Sequence, residues 1–392
     1  MKMRSYWVLV LAAFPALLQA QFSSGSTGSD GALNITSGTV TLDPTMLPNQ
    51  CANNVCNFSS IMIGPNVTVV LTSQLWRNSS VVWLSQGAVS IQGTIHADGS
   101  GGAAMNTQNP GLTRFPAAPG PGGFPGGVGG YLSQPSQPGA GYGGGAAGTP
   151  NGINGGPGVY SYYNNQLTPL LGGPGGGGGY QDGGVAGGNG GAGGGAIRIV
   201  SSVSISVTGK ITANAGGLSC GIGSGVGCGG NGSGGVIHLI APAVSGTGTL
   251  QVNAFGNQGI IEVSSASNTI PNDSSHFSGP YVSAGLYSPP LPTGVPSVQV
   301  TSVAGVTAPA YPTANPMVPD VTINSSAPVT VAIATQNIPT NSVITLYLTA
   351  ENAPDSVAIC GSLTGTVASA TATCTAVNFP SGVTITNILA VW

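Results

Sequence analysis

Ile205-Ser206-Val207-Thr208-Gly209-Lys210-Ile211-Thr212-Ala213-Asn214 is the stretch whose reading decides the fold. Apolar and polar residues alternate on both sides of Gly209, which is the period of a strand and not of a helix. Gly209 reads as a bend between two short strands, since a residue without Cβ turns a corner without a clash. Three other stretches follow the same order. Leu33-Asn34-Ile35-Thr36 leads to Gly38-Thr39-Val40-Thr41-Leu42-Asp43, and Val89-Ser90-Ile91-Gln92 leads to Gly93-Thr94-Ile95-His96-Ala97-Asp98. Val244-Ser245-Gly246-Thr247 leads to Gly248-Thr249-Leu250-Gln251-Val252-Asn253. Each unit ends on Asp or Asn.

A further strand precedes three of these units: Val82-Trp83-Leu84, Ile197-Arg198-Ile199 and Ile237-His238-Leu239. Ile261-Glu262-Val263 would begin another. One such unit cannot bury its apolar face alone, whereas stacked units bury Val, Ile and Leu in a continuous interior. The expected fold is therefore all-β: a parallel β-solenoid (21–98 and 196–265) interrupted by a glycine-rich insert (99–195). An ordinary β-sandwich is the alternative. Over residues 30 to 98 and 195 to 265 the pattern resembles the right-handed parallel β-helix proteins, the pectin-lyase-like group. It also resembles glycine-rich exported bacterial proteins built from V-x-I-x-G-x-[IL]-x-A units. The resemblance rests on pattern and carries no catalytic motif, so it implies a fold far more than a function.

The insert is dominated by glycine, with runs such as Gly175 to Gly179 and with Tyr131, Tyr142, Tyr160, Tyr162, Tyr163 and Tyr180 spread through it. It has no strict Gly-X-Y period, which excludes collagen. With few side chains to bury and much backbone entropy to lose, it is expected to be a flexible or loosely packed layer, or a sticky Gly/Tyr surface. Residues 266–320 are rich in Pro, Ser and Thr and read as a semi-rigid linker. Within them Leu291-Pro292-Thr293-Gly294 lacks the fifth residue of a sortase signal. Residues 321–392 hold five regularly spaced strand candidates: Val329 to Ala334, Val343 to Thr349, Val357 to Gly361, Thr371 to Val377 and Val383 to Val391. This resembles a small immunoglobulin-like or fibronectin-type sandwich, although the usual buried-Trp signature is missing.

Residues 1–20 read as a secretory signal peptide: Lys2 and Arg4, an apolar run from Tyr6 to Leu18, and cleavage after Ala20. No later run is apolar enough to span a membrane. The six cysteines fall in three local pairs, Cys51/Cys56, Cys220/Cys228 and Cys360/Cys374, so local disulfides in an oxidising compartment are expected. A zinc site would want paired knuckles with matching spacing, and Cys51-x4-Cys56 stands alone. Charged residues make up only 4% of the chain. Beyond the signal peptide the cationic side chains are Arg77, Arg114, Arg198 and Lys210. Nucleic-acid binding needs clustered basic groups, so it is excluded. Seven N-x-[ST] sequons occur, at Asn34, Asn57, Asn66, Asn78, Asn231, Asn272 and Asn324.

Aligning the strands by their middle residues places Trp83, Arg198, His238 and Glu262 in one column. This is the candidate glycan-binding strip, or a remnant active site; the plainer reading is a solvated outer face with one weak salt bridge. Asp43, Asp98, Asn214 and Asn253 share a second register, read as Asx turn caps in preference to a calcium ladder. A glycosidase needs two carboxylates about 5–9.5 Å apart, and Asp98, Asp182, Glu262 and Asp273 form no recognisable pair. His276 near Asp273 reads as a solvated turn. No nucleophile elbow, H-E-x-x-H or phosphate loop is present, and no metal or cofactor is implied. The expected function is that of a secreted or cell-surface structural or adhesive protein without catalysis, meeting extracellular glycans or matrix. The alternative is a carbohydrate-binding or polysaccharide-degrading β-helix protein.

Overall fold

The four repeated units all fold as strand, bend, strand and stack in parallel, with one additional unit between the first and the second. The computed structural model describes residues 22–104, 115–131, 134–160, 167–182, 185–221, 226–255, 257–288, 296–310, 312, 318–350, 356–379 and 386–392. The expected signal peptide lies outside them. In chain order the first part contains β1 (Gly31–Ile35), β2 (Thr39–Thr41), β3 (Val55–Ile63), β4 (Thr68–Val70), β5 (Val81–Ser85), β6 (Val89–Ile91) and β7 (Thr94–His96). After the glycine-rich stretch come β8 (Ala196–Ser201), β9 (Ser204–Val207), β10 (Lys210–Thr212), β11 (Val236–Ser245), β12 (Thr249–Gln251), β13 (Ile260–Asn268), β14 (Phe277–Ser278) and β15 (Tyr281–Ala284).

All pairings among these strands are parallel. One sheet runs β2-β4-β7-β10-β12-β14. Its register stacks Val40, Val69, Ile95, Ile211, Leu250 and Phe277 in a single column. The larger sheet stacks Leu33, Ile61, Val89, Ile205 and Val244 in the same way. Apart from the half-buried Val40 at the sheet edge, both columns belong to the main apolar core. In the larger sheet β11 also pairs with β9, so β3, β5, β8, β11, β9 and β6 close a ring of six paired strands. The ring closes because β3 and β11 run unbroken where their neighbours are split: β3 pairs with both β5 and β6, and β11 with both β8 and β9. The unit built on β3 and β4 went unseen in the sequence because Ser59-Ser60 interrupts its alternation.

The larger sheet is buried on both faces. Val55, Val82, Leu84, Ala196, Val200, Val236, Ile240 and Ile260 form a second cluster on its other side, closed over by Leu167 and Leu170 with Tyr160, Leu286 and Tyr287. Strands buried on both faces need no polar alternation, which is why β5 and β8 carry apolar neighbours in sequence.

The glycine-rich stretch is not the flexible layer the sequence suggests. Its described runs are largely buried and bonded through their backbones. Gly173, Gly176 and Gly179 donate to the carbonyls of Gly194, Gly191 and Gly188. Gly177 and Tyr180 donate to Gly156 and Ile153, and Gly175 and Gly178 to Ala140 and Gln137. Gly176 and Gly179 in turn accept from Gly127 and Gly130, Gly177 and Tyr180 from Gly230 and Gly227, and Gly175 and Gly178 from Gly145 and Gly148. Every third residue therefore meets the same neighbour, the threefold repeat of a polyproline II chain, and the run 173–180 has six neighbouring runs. Such packing leaves no room for side chains: a Cβ on Gly177 would lie 2.0 Å from the Ala146 carbonyl oxygen. Backbone hydrogen bonds here replace the side-chain core whose absence suggested disorder.

Strands continue through the expected linker 266–320: β13 reaches Asn268, and β14 and β15 belong to the parallel sheets. The C-terminal part then begins with β16 (Ser297–Val303) and β17 (Val306–Thr307). It continues with β18 (Val329–Gln336), β19 (Thr345–Ala350), β20 (Ser356–Ile359), β21 (Thr364–Thr366), β22 (Ser369–Val377) and β23 (Thr386–Val391). Two antiparallel sheets, β17-β16-β18-β22-β21 and β20-β19-β23, enclose their own apolar cluster. Strand candidates expected at 329, 343, 357, 371 and 383 all correspond to observed strands, the last from Thr386 onward; residues 380–385 lie outside the described set.

Candidate functional site

The column Arg198–His238–Glu262 exists, and Trp83 is not in it. His238 stands opposite Arg198 in β8 and Glu262 in β13. In β5, however, Arg198 faces Val82, and Trp83 faces Ile199. The true register is one residue from the sequence alignment, and one residue flips a strand's side chains to the opposite face. Trp83 consequently points into the main core, fully buried and edge-on to Phe58 at 6.0 Å between ring centroids.

Nor is the column an outer face. Arg198 is 3% exposed, and His238 and Glu262 are 0%. Arg198 Nε donates to His238 Nδ1 at 3.1 Å, and its Nη2 donates to the Leu167 carbonyl at 2.8 Å. Because Nδ1 accepts, the imidazole proton sits on Nε2. That nitrogen faces Ser264 Oγ at 3.3 Å and Glu262 Oε1 at 3.4 Å, while Ser264 Oγ donates to Glu262 Oε1 at 3.0 Å. A guanidinium and a carboxylate are thus joined through a neutral imidazole and a hydroxyl, in a space walled by Tyr287 and Leu167.

Each titration follows from that burial. Desolvation, helped by the neighbouring Arg198 charge, holds His238 well below its ordinary value of 6.5. Desolvation raises Glu262 above 4.5, opposed by the Ser264 hydrogen bond and by Arg198. Burial also lowers Arg198, with Tyr287 and Glu262 opposing, but a guanidinium keeps its charge in proteins. The arrangement does not suit serine hydrolysis. A general base must accept the hydroxyl proton, and His238 Nε2 already carries one. The glycan-strip reading of Trp83, Arg198, His238 and Glu262 is corrected here: a sugar cannot reach fully buried side chains. Ser264 and Leu167 are partners the sequence reading missed. Ser264 could have been found, since it lies two residues from Glu262 and so on the same strand face; Leu167 comes from a distant part of the chain and gave no signal.

The Asx register is real but acts between strands. Asp98 Oδ1 accepts from the Asn214 backbone N–H at 2.6 Å, Asn214 Oδ1 from Asn253 N–H at 2.8 Å, and Asn253 Oδ1 from Ser278 Oγ at 2.6 Å. Asp43 alone makes the local turn cap, to Thr45 N–H at 2.8 Å. Asp98 Oδ2 also meets His96 Nδ1 at 2.8 Å and Thr212 Oγ1 at 2.7 Å. Asp273 accepts from Ser275 Oγ and pairs with His276 Nδ1 at 2.8 Å; the Ser275 hydroxyl, then His276, hold its carboxyl far below the usual range. Among the described residues no group of three or more His, Cys, Asp or Glu is placed to hold a metal ion.

All three local disulfides form: Cys51–Cys56, Cys220–Cys228 and Cys360–Cys374. Cys374 lies in β22 and Cys360 follows β20, so that bridge joins the two C-terminal sheets. Among the described residues no helix is long and apolar enough to cross a membrane.

The glycine bundle has one distinctive end. Its chain reversals at Tyr131/Gln134, Thr149/Gly152, Asp182/Val185 and Cys220/Cys228 each close with a two-residue bridge. All four lie at one level: Gly130 bonds Gly179, Gly148 bonds Gly178, Gly187 bonds Gly130, and Gly188 bonds Gly227. Of the runs that meet these reversals, those ending at Gly195, Ala213 and Gly235 lead directly into or out of the strands of the parallel sheets. Comparison with protein-family models, curated proteins and solved structures finds no match to this chain.

Proposed function

We propose that this chain is an exported structural or adhesive protein: a parallel β-solenoid base, related in kind to the pectin-lyase-like β-helices, carries a stiff glycine bundle that presents turns to an outside surface. The observation that carries the reading is the convergence of the four bridged turns at the end of the bundle remote from the sheets. Unpaired edges and flexible glycine would make a poor presenter; a bundle whose runs are each bonded to several neighbours holds the bridging residues at the feet of its turns in fixed relation. Three disulfides suit an oxidising, extracellular setting, and the signal peptide read at 1–20 suits the same route. The C-terminal pair of sheets, read as an immunoglobulin-like sandwich, is the second handle. Partners would be glycans or matrix components of that setting.

Beads coated with the full chain should adhere to envelope or matrix preparations. A Tyr131→Ser, Asn151→Ser, Asp182→Ser variant should lose most of that adhesion at unchanged melting temperature. Equal adhesion of the variant, or none by the parent, rejects the reading. The carbohydrate-degrading alternative is less favoured because Glu262, the one of its four carboxylate candidates that lies in the column, is buried. Reducing-sugar release that disappears in Glu262→Gln would reinstate it.

A further inference from the structure

An open pocket of about 300 Å³ is lined by Tyr160, Ala254, Asn257, Gln258 and Pro280, which the chain brings together from the end of a glycine run, the β12–β13 loop and the β14–β15 connection. Its volume sits at the lower end of small-molecule sites. Its walls are fixed before any ligand arrives. The Asn257 carbonyl accepts from Ser233 Oγ at 2.9 Å and Gly234 N–H at 3.0 Å, and the Pro280 carbonyl accepts from Ile261 N–H at 2.8 Å. Tyr160 packs edge-on to Tyr142, with 6.4 Å between ring centroids, and Tyr142 packs edge-on to Phe124 at 5.7 Å.

The lining chemistry is specific. Asn257 and Gln258 each offer an amide donor and an amide acceptor, the combination that matches vicinal hydroxyls, which also do both. Tyr160 supplies an aromatic ring, its hydroxyl donating to the Leu171 carbonyl at 3.5 Å. Among the described residues no lining residue carries a charge at neutral pH, so none of them would compensate a phosphate, carboxylate or ammonium. We infer that this cavity is a binding site for a neutral pyranose ring, either a free sugar or the end of a glycan chain. The inference stands independently of the adhesive reading, which rests on turns at the far end of the bundle.

The test is titration of the full chain with methyl hexopyranosides and N-acetylhexosamine, followed by nuclear magnetic resonance, and in parallel with neutral oligosaccharides. Saturable binding of either class is expected. Methyl glycosides binding as tightly as oligosaccharides would assign a free sugar; tighter oligosaccharide binding would assign a chain end. Gln258→Ala, at an exposed position, should weaken binding roughly tenfold, the loss of one hydrogen-bonding group, at unchanged melting temperature. Asn257→Ala should do the same, and the Tyr131→Ser, Asn151→Ser, Asp182→Ser variant should bind as the parent does. Absence of binding by every neutral sugar, or binding that neither amide variant weakens, overturns the inference.

Discussion

Replacing Gly177 by Ala tests the central claim about the bundle, that glycine is required there for space. A Cβ at Gly177 would fall 2.0 Å from the Ala146 carbonyl oxygen, 2.6 Å from its carbon and 2.8 Å from the Gly145 oxygen. Real Cβ atoms stay beyond 3.0 Å, so the runs must part by about 1 Å at this level. The bonds that cross this gap, Gly145 N–H to Gly175 O at 2.9 Å and Gly148 N–H to Gly178 O at 2.8 Å, would then open beyond hydrogen-bonding range. Each buried backbone group left unpaired costs about 1–3 kcal/mol, and overpacking alone about 1–3 kcal/mol. With four groups unpaired even the lower bounds give a loss of about 5 kcal/mol, comparable with the 5–15 kcal/mol by which domains are stable. Gly152→Ala is the control, because its Cβ would meet only Thr149 Oγ1 at 3.7 Å, an ordinary contact. Urea unfolding of both variants, with hydrogen exchange of residues 173–180, reads the difference. If Gly177→Ala matches Gly152→Ala within about 0.5 kcal/mol, the close-packed bundle is wrong.

Trp83→Ala should destabilise the protein by about 3–5 kcal/mol, as expected for a buried aromatic, and leave sugar binding by the folded fraction unchanged; thermal unfolding with the glycoside titration decides. Arg198→Met leaves Glu262 buried without a cation and should cost about 3–5 kcal/mol. Arg198→Met, Glu262→Gln should recover part of that loss in the same denaturation assay, and no recovery would show the pair to be uncoupled. Folding holds His238 below 6.5, so below pH 6.5 the unfolded chain takes up a proton that the fold refuses, and stability falls with pH. Glu262 works the other way: its folded value lies above 4.5, so the fold binds a proton first and gains stability as pH falls through that value toward 4.5. His238→Asn should therefore remove the acid-side loss, and urea midpoints between pH 7 and 4.5 should fall less steeply, or rise, relative to the parent. An identical slope would refute the buried neutral imidazole.

The local strand pattern was readable residue by residue. Aligning Leu33, Val89, Ile205 and Val244 gave the register the sheets adopt, because alternation and a glycine bend are set by neighbours in sequence. The β5 alignment failed for a reason equally local to inspect. Val81-Val82-Trp83-Leu84 is apolar throughout, so nothing in it says which residues face which side, and only pairing with β8 fixes the register. The Arg198–His238–Glu262 column was visible; its burial was not, since its cover comes from Leu167 and Tyr287, far away along the chain.

The sequence by itself determined the parallel all-β body, the paired sheets at the C-terminus and the three disulfides. Period-two alternation and cysteine proximity are properties of short segments. Tertiary structure alone decided that the glycine runs are ordered. A glycine run has no side chain to report its surroundings, and the same residues make a flexible coil when alone or a bonded bundle when six backbones stand close enough to exchange hydrogen bonds.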